Sequence, residues 1–340
     1  MNIDSIHEEA RKEQLGKIKT GNSVFGLIPH EIGEIVFCDS DTWDEKAPTR
    51  EETNRSRIWT FVISAGIISL FWVIFPNATV LGVIISIAVS LLAILLMTMA
   101  GDFSGTDYFI GEEGFAVMKF KNSRDNFTKK DIVRFSDVSD VVDYDLEYYD
   151  SKGKYEHSMY SYCFHNVFGK KLNNINASYA FTGLHKKHPS QKIDYRFWKR
   201  LEDAWYDFYI KKLAYINKKM GDTFVFVMFE STNKKDLSRC NAAPFVIIEE
   251  EKLTIWGRTY TPENIGRIYI DKGVSNETHE KKGKLVIEGT DYTPKKLLNK
   301  ESGTIERIPL SNVGNCRIFI KVIEKYIREY NIKSKDYGTE

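Results

Sequence analysis

Taken as apolar and polar positions, the chain changes texture several times. It opens with HEEARKEQLGKIK, acids early and lysines late as a helix dipole prefers, which predicts a surface helix within residues 1–20. From Val24 to Cys38 apolar residues are mixed with Gly and Pro, which predicts one or two short extended pieces, and DTWDEKAPTREETNRSR follows as a polar linker. Ile58 to Ala100 differs in kind, because no charged residue stands between Arg57 and Asp102 and Pro76-Asn77 is its single break. A hydrocarbon core about 30 Å thick takes roughly 17 to 25 apolar residues per helix, so the run predicts a hairpin of two membrane helices with almost no loop. Helices in soluble cores run shorter and keep a polar face. A signal peptide would lie nearer Met1, behind a basic start. Trp59 and Trp72, near the two ends of the first helix, are expected in the interfacial aromatic belt.

Beyond the hairpin the period becomes two. Tyr108–Ile110 and Phe115–Phe120 flank Gly111-Glu112-Glu113-Gly114, whose glycines are free to take positive φ in a turn. A charged loop then precedes a strand at Ile132–Phe135. Next, Val142, Tyr144, Leu146 and Tyr148 alternate with Asp143, Asp145 and Glu147, which predicts a strand with its acids on the wet face. After the DSKGK turn, Tyr160, Tyr162 and Phe164 share one face and Ser161, Cys163 and His165 the other. A turn at Gly169 leads to a short strand near Leu172–Tyr179, completing an antiparallel meander. At Asp194–Met220 the period turns helical. Phe197, Leu201, Trp205, Phe208 and Ile216 form a stripe that predicts core, with Asp194 as N-cap and Gly221 as stop.

A second cycle follows. Thr223–Phe229 reads as a strand, STNKKDLSRCNAAP as a loop and FVIIEEEKLTIW as a hairpin. YFIGEEGFAV is matched by FVIIEEEKLTI, VSDVVDY by IGRIYI, and Gly153-Lys154-Tyr155 by Gly283-Lys284-Leu285. The cycle closes in an amphipathic helix from about Asn315, with Phe319, Val322, Ile323, Tyr326 and Ile327 inward.

A meander closed by one helix, found twice and preceded by a two-helix membrane hairpin, resembles the membrane-anchored pleckstrin-homology-like (PH-like) proteins of bacteria over residues 107–220 and 243–330. The resemblance implies partly closed barrels, each capped by its helix and used for binding and assembly rather than chemistry. The expected class is α+β, a transmembrane hairpin plus two PH-like antiparallel β domains. Its expected segments are 1–57 (cytosolic N-terminal segment and linker), 58–100 (hairpin), 102–221 (first domain) and 222–335 (second domain). The long stretch LNNINASYAFTGLHKKHPSQKI departs from that pattern.

Charge adds an orientation. Arg50, Arg55 and Arg57 precede the first apolar helix while the Pro76-Asn77 turn is uncharged, which places both termini on the cytoplasmic side of the inner membrane. Lys and Arg number 48 against 47 acids, and a net charge of +1 argues against nucleic acid as a partner. Lys119, Lys121, Arg124, Lys129 and Lys130, shortly after the membrane exit, form a basic loop suited to anionic lipid.

Candidate chemistry changes little. Cys38, Cys163, Cys240 and Cys316 are scattered and read as reduced thiols. Cys163 and His165, with His157, His185 and His188, come nearest to metal spacing, but strand alternation and a Lys-rich loop account for them, and no metal or cofactor is expected. The acids Asp137, Asp140, Asp143, Asp145, Glu147 and Asp150 lack the glycine and terminal glutamate of a calcium loop. No G-x-S-x-G, P-loop, H-E-x-x-H or G-x-G-x-x-G is present, so no catalytic residue is assigned. The expected function is that of a non-catalytic membrane scaffold or sensor, binding a protein partner, a lipid or a second copy of itself. The alternative is a ligand-gated, membrane-disrupting effector of an antiphage type, in which Ala65, Gly66 and Ser69, or Gly82 and Ser86, permit close helix contacts.

Overall fold

A computed structural model describes residues 3–42, 50–77, 79–99, 104–167, 172–186, 193–220, 223–233, 236–271, 278–280, 283–294 and 302–332. Gly101-Asp102, Gly169, His188 and Gly221 lie outside the described residues, as do the side chains of Arg50, His185, Asp194 and Ile216. Packing divides the chain into two compact units, Met1–Ile132 and Val133–Glu340.

The first unit comprises α1 (Ile3–Thr20), β1 (Ile35–Ser40), α2 (Arg50–Ile74), α3 (Thr79–Met99), β2 (Ser104–Gly111), β3 (Gly114–Lys121) and β4 (Ser123–Arg134), with its strands in the sheet order β1-β2-β3-β4. β1 and β2 are antiparallel neighbours, paired at Ile35↔Gly111 and, after a register shift, from Phe37↔Ile110 to Ser40↔Asp107. The apolar hairpin is therefore an insertion between two paired strands, and the first sheet starts before the hairpin rather than at residue 102. Phe25, Ile32, Ile35 and Cys38 share a core with Phe109, Ala116 and Met118, and Leu15 and Ile18 of α1 pack on it. The opening helix thus contributes to the core as well as the surface. The charged loop expected after Lys121 is instead the twelve-residue strand β4. It sits at the end of the sheet order, where lysines and polar residues protect an edge and blur the alternation a sequence shows.

Helices α2 and α3 are long and apolar enough to cross a membrane. None of the apolar window Asn54–Ile74 is buried within the protein, and only 11% of the window Thr79–Leu96 is. Trp72 turns toward α3, where its Nε1 donates to Ser86 Oγ at 3.2 Å. A Cβ added to Gly82 would stand 2.9 Å from the Trp72 ring, so glycine is what lets the indole lie against the helix.

The second unit contains two cycles. The first is β5 (Asp140–Tyr149), β6 (Tyr155–His165), β7 (Ile175–Asn176), β8 (Tyr179–His185) and α4 (Ile193–Met220). The second is β9 (Phe224–Asn233), β10 (Asp236–Glu249), β11 (Lys252–Ile255), β12 (Arg258–Tyr260), β13 (Ile265–Asp271), β14 (Thr278–Glu280), β15 (Lys284–Gly289), β16 (Ile305–Pro309) and α5 (Cys316–Glu329). The described residues of STNKKDLSRCNAAP are strand rather than loop, since β9 and β10 form a long ribbon with register shifts between Asp236 and Cys240 and between Pro244 and Val246, the latter at a residue whose missing N–H is tolerated there. Gly153 and Gly283, paired by the sequence comparison, both take positive φ, 74° and 71°, just before β6 and β15.

The two cycles exchange edge strands. β14 pairs with β5 in the sheet β14-β5-β6-β8, while β7 pairs with β10. The long stretch that departed from the PH-like pattern supplies β7 to the other cycle's sheet. Val142 and Cys163 accordingly share a core with Val227, Phe229 and Cys240, so packing in this unit runs across residue 221. β5, flanked by β14 and β6, also buries its acids: Asp143, Asp145 and Glu147 are covered rather than wet. On α4, Phe197, Leu201 and Trp205 are buried as the stripe predicts. Trp198, one position off that stripe, is buried too and stacks against Tyr162 and Phe181, with ring centroids 5.7 and 4.8 Å away.

Candidate functional site at the base of the apolar hairpin

The polar cluster of the first unit lies where the chain leaves β1 for the apolar helices and returns in β2. Ser40 and Asp107 face one another across the strand pair, and Ser40 Oγ donates to Asp107 Oδ1 at 2.8 Å. Arg124 of β4 reaches the same carboxylate at 3.6 Å, and its Nη2 donates to Thr42 O at 3.1 Å and Thr42 Oγ1 at 3.0 Å. Its guanidinium lies over the rings of Phe25 and Phe120, at 5.4 and 5.6 Å. One turn further out, the Thr106 N–H donates to Asp41 Oδ1 at 2.8 Å and the Asp41 N–H to Thr106 O at 3.3 Å. Behind it, Arg11 of α1 pairs with the fully buried Asp39 at 3.1 Å.

Gly105 and Gly26 make this packing possible. A Cβ on Gly105 would stand 2.6 Å from the Phe120 ring, and one on Gly26 would stand 2.7 Å from the Arg124 carbonyl oxygen. Burial pushes the Asp107 carboxyl up to about 6, against the opposing influence of the Arg124 charge and the Ser40 hydrogen bond. The cluster joins both ends of the insertion to one sheet. Chemically it is a buried ion pair with hydroxyl support, suited to holding two chain segments in register, with a proton affinity near the physiological range.

Of the basic residues assigned to lipid contact, Lys119, Lys121, Lys129 and Lys130 are exposed. Arg124 is not: it is buried and committed to Asp107 and Thr42. Lys129 pairs with Asp131 at 2.6 Å, and Lys130 lies 4.6 Å over the Phe127 ring. Arg55 and Trp59 are exposed on α2 and Arg57 is half-buried. Ser40, Thr42 and Asp107, which complete the cluster, carry no signal in the sequence; only the pairing of β1 with β2 across the whole apolar run brings them together.

A second polar knot lies in the second unit. Asn315, at φ 52°, precedes α5; its Oδ1 accepts from the Val141 N–H at 3.1 Å and from Trp205 Nε1 at 2.9 Å, and its Nδ2 donates to Ser139 O at 2.9 Å. One side chain thus ties β5, α4 and α5. Asp140, 3.3 Å from Asn315 Nδ2, is also raised to about 6, chiefly by burial. His165 shares a hydrogen bond of 3.0 Å with Leu237 O, and Cys163 lies in the core. Among the described residues, no group of three or more His, Cys, Asp or Glu is placed to hold a metal.

No protein-family model, curated protein or solved structure matches the chain.

Proposed function

We propose that this protein is a non-catalytic, membrane-anchored binding protein. On this reading α2 and α3 cross the cytoplasmic membrane with both termini inside, and the strand-rich remainder is a pair of PH-like domains that hold a protein partner at the membrane. The observation that carries it is the insertion of an uncovered apolar hairpin between the paired strands β1 and β2, clamped at its base by Ser40, Asp107 and Arg124. A hairpin joined in this way fixes a sheet close to the bilayer.

Further support comes from the order of elements. β1 to β4, then β5-β6-β8 and α4, is followed by β9 to β12, then β13-β15-β16 and α5. A four-strand meander, a three-strand meander and a helix thus occur twice along the chain, which suits two PH-like domains with the hairpin spliced into the first. Gly82 and Ser86, which made the effector alternative attractive, serve the hairpin's own packing against Trp72.

The test is alkaline carbonate extraction of membranes expressing the full chain, combined with labelling of Asn77→Cys by an impermeant maleimide. The four native cysteines are buried, so background is low. Retention in the pellet with labelling of Asn77→Cys from outside intact cells is expected. Release by carbonate, or labelling only after lysis, would overturn the anchor or its orientation.

A further inference from the structure

A shallow groove opens on the second unit between the C-terminal half of α5 and the adjoining ends of β9 and β10. Its floor is aromatic: Phe224, Tyr326 and Tyr330 line it, and the two tyrosine rings lie 4.9 Å apart at 54°. Tyr326 is held in place by a hydrogen bond of 2.9 Å to Glu251 O. The rim carries Glu250 and Glu329 against the single cation Lys325. Glu250 sits at φ 42° in the two-residue turn between β10 and β11, a conformation that Gly or Asn adopts at less cost. Burial, and then the charges of Glu329, Glu251 and Glu250, raise the Tyr330 phenol.

Aromatic faces under paired carboxylates are complementary to an organic cation. A planar guanidinium suits them better than an ammonium, because it stacks on a ring while its N–H fork reaches a carboxylate. We propose that this groove is a docking site for an arginine side chain presented by an extended segment of a partner protein. The guanidinium lies over the half-buried Tyr330, which the buried Tyr326 backs, and pairs with Glu250 and Glu329, and the apolar groove walls take the flanking aliphatic residue.

The experiment uses the full chain in detergent or nanodiscs and a fluorescein-labelled Val-Arg-Val-Arg-Val amide, with the citrulline peptide of the same shape as a neutral control. Saturable binding of the arginine peptide is expected, at least about tenfold tighter than the citrulline peptide, and lost in Glu250→Lys/Glu329→Lys. Lys325→Glu is expected to tighten binding several-fold, a gain that a folding defect does not produce. Equal binding of the two peptides, no binding of either at millimolar concentration, or indifference to both charge changes would each overturn the proposal. The membrane reading stands or falls separately, on carbonate extraction.

Discussion

Helices α3 and α5 are both rich in Ile and Leu or aromatic residues, yet the protein treats them in opposite ways. In α5, Ile318, Phe319, Ile323, Tyr326 and Ile327 are buried while Arg317, Lys321 and Lys325 on the other side are left in water or half-covered. In α3, Leu91, Leu92, Ile94 and Leu95 are all more than half exposed, and among the described residues the buried positions, Gly82 and Ala93, are small. The difference lies in the pattern of apolar residues rather than in their presence. A polar face lets a helix dock on a sheet and still meet water, whereas a helix apolar all round needs a solvent that is apolar all round.

The sharpest break of this comparison is a pair of truncations. Phe319 packs edge-on against Phe226 and tilted against Phe245, at 5.0 and 5.8 Å. Phe319→Ala is expected to destabilise the second unit by about 3–5 kcal/mol, seen as a lowered denaturation midpoint in detergent. Leu92→Ala on α3, a side chain more than half exposed, is expected to shift the same midpoint by less than about 1 kcal/mol. An equal cost for the two would mean that α3 has a protein partner rather than a lipid one.

The polar junctions give the next largest effect. With its carboxyl raised from 3.8 to about 6, folded Asp107 holds its proton more tightly than the unfolded chain does. Its contribution is therefore fully present below about pH 4 and is lost as the pH rises toward 6, by roughly 3 kcal/mol at most for two pH units. Asp107→Asn is expected to flatten the stability profile over that interval, measured by denaturant unfolding at pH 4.5, 5.5 and 6.5. A variant whose profile still falls in parallel with the natural chain would shift the dependence to other groups, Asp140 first among them.

What the sequence made legible follows the same division. Periodicity found the apolar hairpin, the α4 and α5 stripes and the strands with one clean face, because each is a local pattern. β4 was hidden because an edge strand with one wet face and alternating Lys and Asp looks like a loop. The acids of β5 misled because alternation marks two faces without telling whether the second is covered, and here Asp143 and Asp145 stand opposite Tyr162 and Tyr160, on the face where Trp198 of α4 stacks on Tyr162. Asn315, Ser40, Asp107 and Thr42 are ordinary polar residues whose roles exist only through contacts distant in sequence. Arg124, found for its charge, owes its buried place to Gly26 and Phe25, far upstream.

Within the hairpin the comparison is refined by Trp72. Trp72→Phe keeps an aromatic ring near Gly82 but removes the hydrogen bond to Ser86, which is expected to cost about 1 kcal/mol of helix pairing. Gly82→Val inserts atoms where only 2.9 Å is free and is expected to cost more. Helix proximity, read as disulfide crosslinking between cysteines placed at Phe75 and Thr79, should fall in that order. Unchanged crosslinking in both would show that the short turn alone sets the pairing.

The smallest effect concerns the basic strand face. Register places Lys121 opposite Ser104 and Lys119 opposite Thr106, at the end of β3 nearest the last turn of α3. Lys129 stands six residues beyond Ser123 on β4, about 20 Å along the strand at roughly 3.3 Å per residue. That exceeds two screening lengths of about 8 Å, and Lys129 is already paired with Asp131. On the proposed membrane reading, the residues expected to meet anionic headgroups are Lys119 and Lys121 rather than the whole basic set, each with an expected contribution of about 1 kcal/mol, roughly a fivefold change in lipid preference. An environment-sensitive dye on Asn126→Cys, whose native side chain donates to Lys121 O, reports the approach of this strand end to nanodiscs with and without anionic lipid. Lys119→Glu/Lys121→Glu is expected to abolish the anionic-lipid response, and Lys129→Glu/Lys130→Glu to leave most of it. The reverse order would mean that the sheet lies along the bilayer rather than standing on its hairpin end.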